Sequence, residues 1–391
     1  MLSITMRRTR SWLVAGTALL FVGVVGAQAQ ADTIRSKEWY LDAMHAEEMW
    51  KTSTGSGVTV AVIDSGVDAD LPDLRGQVLD GKDFSGLPGN AHTDTSGHGS
   101  QMALFVAGTG KGAGTLGLAP GARILPVRAL GSDIFKTDSA LASSIRYAAD
   151  SDAKIINMSL GSPTYNPAVA EAVKYALGKG KLLFASVGNT GDKGNLVEYP
   201  AAYPGVVGVA AVDREIKAAS WSQSGPEVDL AAPGTEMVAP CADGTSDVCI
   251  VKGTSGASAI AAASAALIWS AHPNWTGNQV LRVLINTAGG PKSGEKRSDT
   301  LGYGVVRPRI ALQNPGDPGP PDVSPLPDAA ALTRDASNPH AGGSATQERS
   351  AAGRSHDNGL LSQRNLLVVG IAAVAALAIT VSVIVVRRRK A

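Results

Sequence analysis

Between Gly57 and Leu312 the chain keeps returning to one alternation: a short unbroken apolar run, then a stretch with helical spacing. The apolar runs are GVTVAVID, RILPVRAL, KIINMSL, KLLFASVGN and VVGVAAVD, and between them lie stretches such as DSALASSIRYAADSD and NPAVAEAVKYALGKG. A strand that is apolar at almost every position has no solvent face, so both of its faces must be covered. Such strands, linked by helices, build a parallel sheet with helices on both faces, the α/β class. No repeat of solenoid length interrupts the pattern, and about 255 residues is near the upper limit for a single core. In parallel sheets the chemistry gathers at the carboxyl ends of the strands.

Four residues stand at such places. Asp64 closes the run VAVID and is followed by a tight glycine turn; alone it reads equally well as an ordinary strand-to-loop aspartate. His98, in TSGHGSQMALFVAG, sits between two glycines where a helix begins. Its setting is not shared by His45, His92, His272, His340 or His356. Asn189 ends LLFASVGN, where it serves either as a turn residue or as an amide donor on the same rim. Ser255, in GTSGASAIAAASAALIWSAHP, stands at the start of an alanine-rich helix, where it reads as a cap. The same place favours an oxyanion, because free N–H groups and the positive end of the dipole converge there. Together the four change the reading: Asp, His, Ser is one of the chain orders in which a proton relay for acyl transfer occurs.

The ends of the chain place this domain. MLSITMRRTRSWLVAGTALLFVGVVGAQAQA carries Arg7, Arg8 and Arg10 ahead of an apolar run and ends in small residues, the pattern of a secretory signal over residues 1–31, cut after Ala29 or Ala31. Residues 366–386 are uncharged and are followed by Arg387, Arg388, Arg389 and Lys390. That length matches a bilayer core, and the basic 387–391 tail stays cytoplasmic. The expected topology is a single-pass cell-membrane protein with its folded domain extracytoplasmic. Residues 313–365 are proline-rich and then small and polar, which predicts a disordered linker. Cys241 and Cys249 either close a small disulfide hairpin in that oxidising space or remain free thiols. A net charge of +1 points to no nucleic-acid partner.

The chain closely resembles the subtilase serine proteases, through VAVIDSGVDADLPDL, GHGS, INMSLG, VGN, YPAAYPGVVGVAAVD and GTSGAS in order. The resemblance covers residues 57–312 and implies a subtilisin-like parallel sheet covered by helices on both faces, to which the chain adds a C-terminal single transmembrane helix. It implies that Asp64, His98 and Ser255 form the triad and that Asn189 and the Ser255 N–H hold the oxyanion. It further implies that Ser159, Leu160 and Gly161 form an edge for an extended peptide. A narrower resemblance, through EWYLDAMHAEEMWKTSTGSG before the core and the linker, anchor and tail after it, is to the mycosins, membrane-bound subtilases of type VII secretion. Residues 32–56 are too few for an independent domain and are expected to be an extension packed on the catalytic domain.

The chain departs from the family at Gly256, Ala259 and Leu104, where a larger residue, a proline and a glycine are usual. The family's frequent calcium loop maps to TGKGAGT, Thr109 to Thr115, where glycines and the Lys111 ammonium replace oxygen ligands, so no metal is expected there and no cofactor elsewhere. GTGKGA also fits a dinucleotide fingerprint, but it follows a helix rather than a strand, and the acid at ribose distance, Asp133, lies in a loop. Glu198, just before YPA, maps to the floor of the main specificity pocket and would favour Lys or Arg before the cut; otherwise it is a solvated loop glutamate. Two functions follow: an endopeptidase acting on extended segments of exported proteins, or a structural part of a type VII secretion complex with dispensable catalysis.

Overall fold

The structure, a computed structural model, describes residues 34–111, 114–130, 138–241 and 248–329. The expected signal, anchor and basic tail lie outside these residues, as do Asp133 and the linker from residue 330 onward.

Seven strands form one sheet: β1 (Thr59–Asp64), β2 (Lys82–Asp83), β3 (Arg123–Arg128), β4 (Ile155–Met158), β5 (Leu182–Ser186), β6 (Val207–Val212) and β7 (Leu230–Pro233). Their spatial order is β2-β3-β1-β4-β5-β6-β7 and every pairing is parallel. The chain therefore builds outward from β1 on both sides, which makes the carboxyl end of β1 the point where the order reverses and a crevice opens. Asp64 is the last residue of that strand.

The helices are α1 (Trp39–Ala43), α2 (Ala46–Trp50), α3 (His98–Ala107), α4 (Asp138–Asp150), α5 (Pro167–Gly178), α6 (Thr254–Ala271), α7 (Gly277–Asn286) and α8 (Pro308–Gln313). Alternate residues of each strand serve different cores. Val60 and Val62 join Leu104 and Phe105 of α3 and Ile260 and Leu267 of α6, whereas Ala61 and Ile63 join Leu141 and Ile145 of α4 and Val169 and Val173 of α5. This is why the strands read as continuously apolar. Helix α6 is apolar all round because the sheet, α3 and α7 surround it. Among the described residues it is the helix long and apolar enough to cross a membrane, and it is almost wholly buried.

Two flanking segments pack on this domain. In the N-terminal extension, Tyr40, Leu41 and Met49 are buried in the α3/α6 core, Trp39 Nε1 donates to the Thr235 carbonyl and Trp50 Nε1 to that of Leu118. Glu38, fully buried, accepts the Leu116 N–H (2.8 Å); burial outweighs that bond and the nearby Arg35 charge and pushes its carboxyl up to about 8. At the other end, residues 313–329 of the expected linker lie against α7. Arg282 donates to the carbonyls of Pro318, Pro320 and Val323, Gln279 to that of Gly319, and Leu326 is buried. The segment's proline-rich, apolar-poor composition suggested disorder, but α7 supplies donors for its carbonyls. Cys241 and Cys249 are joined by a disulfide across the hairpin of β8 (Met237–Pro240) and β9 (Val248–Val251).

Candidate active site

Asp64 and His98 meet across the β1 crevice. His98 opens α3 behind Gly97, whose φ of 74° turns the chain into the helix. The next residue, Gly99, lets that helix close on the β1 turn, since a Cβ there would lie 2.1 Å from the Gly66 carbonyl oxygen and 3.0 Å from Asp64 Cβ. His98 Nδ1 then lies 2.8 Å from Asp64 Oδ1. Asp64 is fully buried, and its Oδ1 also accepts the Ser65 N–H (2.8 Å) and the Ser65 hydroxyl (3.1 Å), while Oδ2 is buried with no partner. Burial works against the protonated imidazole, but the charge and hydrogen bond of Asp64, with a smaller contribution from Asp94, outweigh it and hold His98 above the ordinary histidine value.

Asp94 and Ser65 were not singled out by sequence. The Asp94 Oδ1 atom accepts the Ser65 hydroxyl (2.9 Å) and the Gly97 N–H (2.8 Å); its Oδ2 accepts the N–H (2.8 Å) and hydroxyl (2.7 Å) of Ser100. Gly99 N–H donates to Ser65 Oγ (3.0 Å), so one hydroxyl lies between two carboxylates and is pinned from the histidine helix. The signal available was local: an aspartate followed by Thr, Ser and Gly just before a helix favours an Asx turn.

Ser255 lies in the first turn of α6, but it is not the cap. The N-cap is Gly253, the helix begins at Thr254, and Ser255 is its second residue. Its backbone N–H therefore has no acceptor within the helix and meets none among the described residues. Its hydroxyl lies 3.3 Å from the Ser159 carbonyl rather than on His98. Asn189 is fixed from one side: Oδ1 accepts the Thr254 N–H (2.8 Å) and hydroxyl (3.0 Å), which leaves the Nδ2 donor free beside the Ser255 turn. Both oxyanion donors expected from sequence are thus unengaged and on one side of the crevice.

The expected peptide edge also adjoins Ser255. Ser159 Oγ donates to the Ser255 carbonyl (2.9 Å) and accepts from Asn157 Nδ2 (2.9 Å), so its side chain braces α6. Leu160 is buried and Gly161 half-buried. Glu198 is not a solvated loop glutamate: it is half-buried against Gly161 and Gly188. Of the departures, Leu104 is buried in the core and Ala259 is fully buried in α6. A Cβ on Gly256 would meet Phe105 Cε2 at 3.5 Å and Met237 Cγ at 3.7 Å, ordinary contact distances, so this position has room for a side chain. Among the described residues no three His, Cys, Asp or Glu side chains converge as a metal site.

The fold and this arrangement define a class: an α/β protein with Asp, His and Ser at the carboxyl edge of a parallel sheet. The model of the subtilase family (peptidase S8) matches residues 55–304, and the chain belongs to that family. It is 39% identical to subtilisin E of Bacillus subtilis (strain 168) over 237 residues, which are 60% of this chain and 61% of that protein. The chain thus spans about three-fifths of that relative's length. It is 35% identical to thermitase of Thermoactinomyces vulgaris over 257 residues, 65% of this chain and 88% of that protein. Among solved structures it is similar to MycP1 of Mycobacterium smegmatis, with a TM-score of 0.63 and 27% identity over 72% of this chain and 86% of that one. It is also similar to MycP3 of the type VII (ESX-3) secretion system, with a TM-score of 0.60 and 30% identity over 70% of this chain and 87% of that one.

Proposed function

We propose that the chain is a membrane-anchored, extracytoplasmic serine endopeptidase that cuts extended segments of exported proteins in association with a type VII secretion complex. The observation that carries the reading is the placing around one crevice of His98 paired with the buried Asp64, the Ser255 hydroxyl and two unengaged donors. The membrane and secretion parts rest on residues 366–386 with the basic tail, and on the likeness to MycP1 and MycP3.

The mechanism uses these groups in turn. A substrate strand laid along Ser159–Gly161 presents an N–H to the Ser159 carbonyl, competing with the Ser255 hydroxyl for it. Freed, the hydroxyl turns to His98 Nε2, which takes its proton as Oγ bonds to the peptide carbonyl carbon. The carbonyl oxygen becomes an oxyanion held by the Ser255 N–H and Asn189 Nδ2. His98, its charge balanced by Asp64, returns the proton to the leaving nitrogen as the C–N bond breaks. Water, deprotonated by His98, then hydrolyses the acyl-enzyme and restores the hydroxyl.

A second reading, a docking component with dispensable catalysis, draws on the resting Ser255 hydroxyl, which bonds to Ser159 and not to His98. The purified full chain should digest an unfolded protein such as casein, and the Ser255→Ala form should not. Equal digestion by both, or by neither, would overturn the protease reading. If Ser255→Ala restores secretion to a deletion strain, the docking role is the essential one.

A further inference from the structure

Strand β4 is fully buried at Ile155, Ile156 and Met158, and the residue among them, Asn157, is buried just as completely. Its backbone is committed to the ladders with β1 and β5, so the side-chain amide must find partners of its own or remain in the core at a cost. It is met on both sides. Ser258, fully buried on α6 three residues after the nucleophile, donates its hydroxyl to Asn157 Oδ1 (2.7 Å), and Asn157 Nδ2 donates to Ser159 Oγ (2.9 Å). Ser159 Oγ donates in turn to the Ser255 carbonyl (2.9 Å). No step of the mechanism above uses Asn157 or Ser258.

The direction of this chain of bonds follows from its end. The Ser255 carbonyl can only accept, so the single proton of the Ser159 hydroxyl is directed there. Ser159 Oγ must then accept from Asn157, which puts Nδ2 on that side and turns Oδ1 towards Ser258. Each group orients the next, from the interior of α6, through the sheet, back to the first turn of the same helix.

Ser159 is the junction. Its backbone belongs to the peptide edge, and the sheet holds that edge without help from the Asn157 side chain. Behind it β4 pairs with β5 as far as Met158 and Ala185; ahead of it Ser162 and Tyr199 donate N–H groups to each other's carbonyls at 2.9 and 2.8 Å. The Ser159 side chain instead holds the nucleophile's turn, and the Ser255 hydroxyl returns to the Ser159 carbonyl at 3.3 Å.

We propose that Asn157 and Ser258 are positioning residues for Ser255. Acting through Ser159 Oγ, they fix the first turn of α6 against the peptide edge and so set where the Ser255 hydroxyl and N–H stand relative to a bound peptide carbonyl. Attack and oxyanion binding depend on that placement and count only in the transition state, whereas strand pairing along the edge is left intact. Loss of the chain of bonds should therefore lower kcat and leave KM little changed. The inference rests on the protease reading above.

The test measures cleavage of one chromogenic peptide anilide by the full chain in detergent. Each kcat is referred to the number of Ser255 sites that a fluorophosphonate labels, so that unfolded molecules are not counted. Ser159→Ala removes the junction and Asn157→Leu keeps the volume without the amide; each should lower kcat by about three- to tenfold with KM held within about twofold. Combined, they should lose little more than either alone, because Asn157 acts through Ser159. Ser258→Ala should show a smaller loss that vanishes in the Ser159→Ala background, and it carries the same test if Asn157→Leu yields no labelled sites. Single variants with the wild-type kcat, losses that multiply in the double variants, or losses confined to KM would overturn the proposal while the protease reading stands. A wild type that the fluorophosphonate does not label would overturn both.

Discussion

The two sides of the crevice are held in opposite ways. On the Asp64–His98 side most polar groups are engaged: Asp64 Oδ1 gathers three donors and Asp94 fastens Ser65, Gly97 and Ser100, while Asp64 Oδ2 has no partner among the described residues. On the Ser255 side the groups are placed but unengaged: among the described residues the Ser255 N–H and Asn189 Nδ2 meet no partner. Under the proposed mechanism the difference follows what each side would have to do. A proton relay needs its orientation fixed beforehand, whereas groups that bind a substrate or a developing charge gain only if nothing in the resting protein already satisfies them.

Breaking either side should show which description is right. His98→Ala or Ser255→Ala should each cost about 10⁶ in kcat, and the double variant little more, because the groups act as a unit. Additive losses would contradict a shared relay. Asn189→Ala should cost about 10²–10³ in kcat with KM little changed, since its free donor meets charge only in the transition state; a loss confined to KM would make it a binding residue.

Asp94→Asn tests the engaged side more finely. The variant removes a negative charge that helps hold His98 above its ordinary value. His98 must be neutral to act as base, so the acid limb of kcat/KM should move to lower pH, with the high-pH rate falling at most about 10²-fold. A lower rate with an unmoved limb would mean that Asp94 only supports the fold. The mildest effect is expected at Glu38, a buried carboxyl with one donor where Asp64 Oδ1 has three. Its folded value of about 8 lies above the ordinary 4.5, so the stability it contributes is full below the lower value and is lost as pH rises through the upper one. Glu38→Gln should flatten that dependence and raise the melting temperature at pH 8.5 by roughly 2–4 °C for each kcal/mol recovered. A variant with the wild-type pH profile would place the titration elsewhere.

Much of this was legible because it was local. Asp64 ends an apolar run, His98 has glycines on both sides, and the two must approach closely enough that Gly99 cannot carry a Cβ. Ser255 was legible as a helix-start residue but misplaced by two positions as its cap, since Gly253 carries that role. Ser65 and Asp94 escaped notice because hydroxyls and turn aspartates are common, and only the fold shows one hydroxyl lying between two carboxylates. The 313–329 segment misled for the converse reason: its own composition says nothing of the donors that Arg282 and Gln279 bring to it.

The most direct test of the relay is the labelling of the full-length protein by a serine-reactive phosphonate, mapped by mass spectrometry between pH 5 and 9. The account predicts a single adduct on Ser255, absent in Ser255→Ala, with a rate that rises through a midpoint above the ordinary histidine value of about 6.5. An adduct on another residue, equal labelling of Ser255→Ala, or a rate indifferent to pH across that range would contradict it.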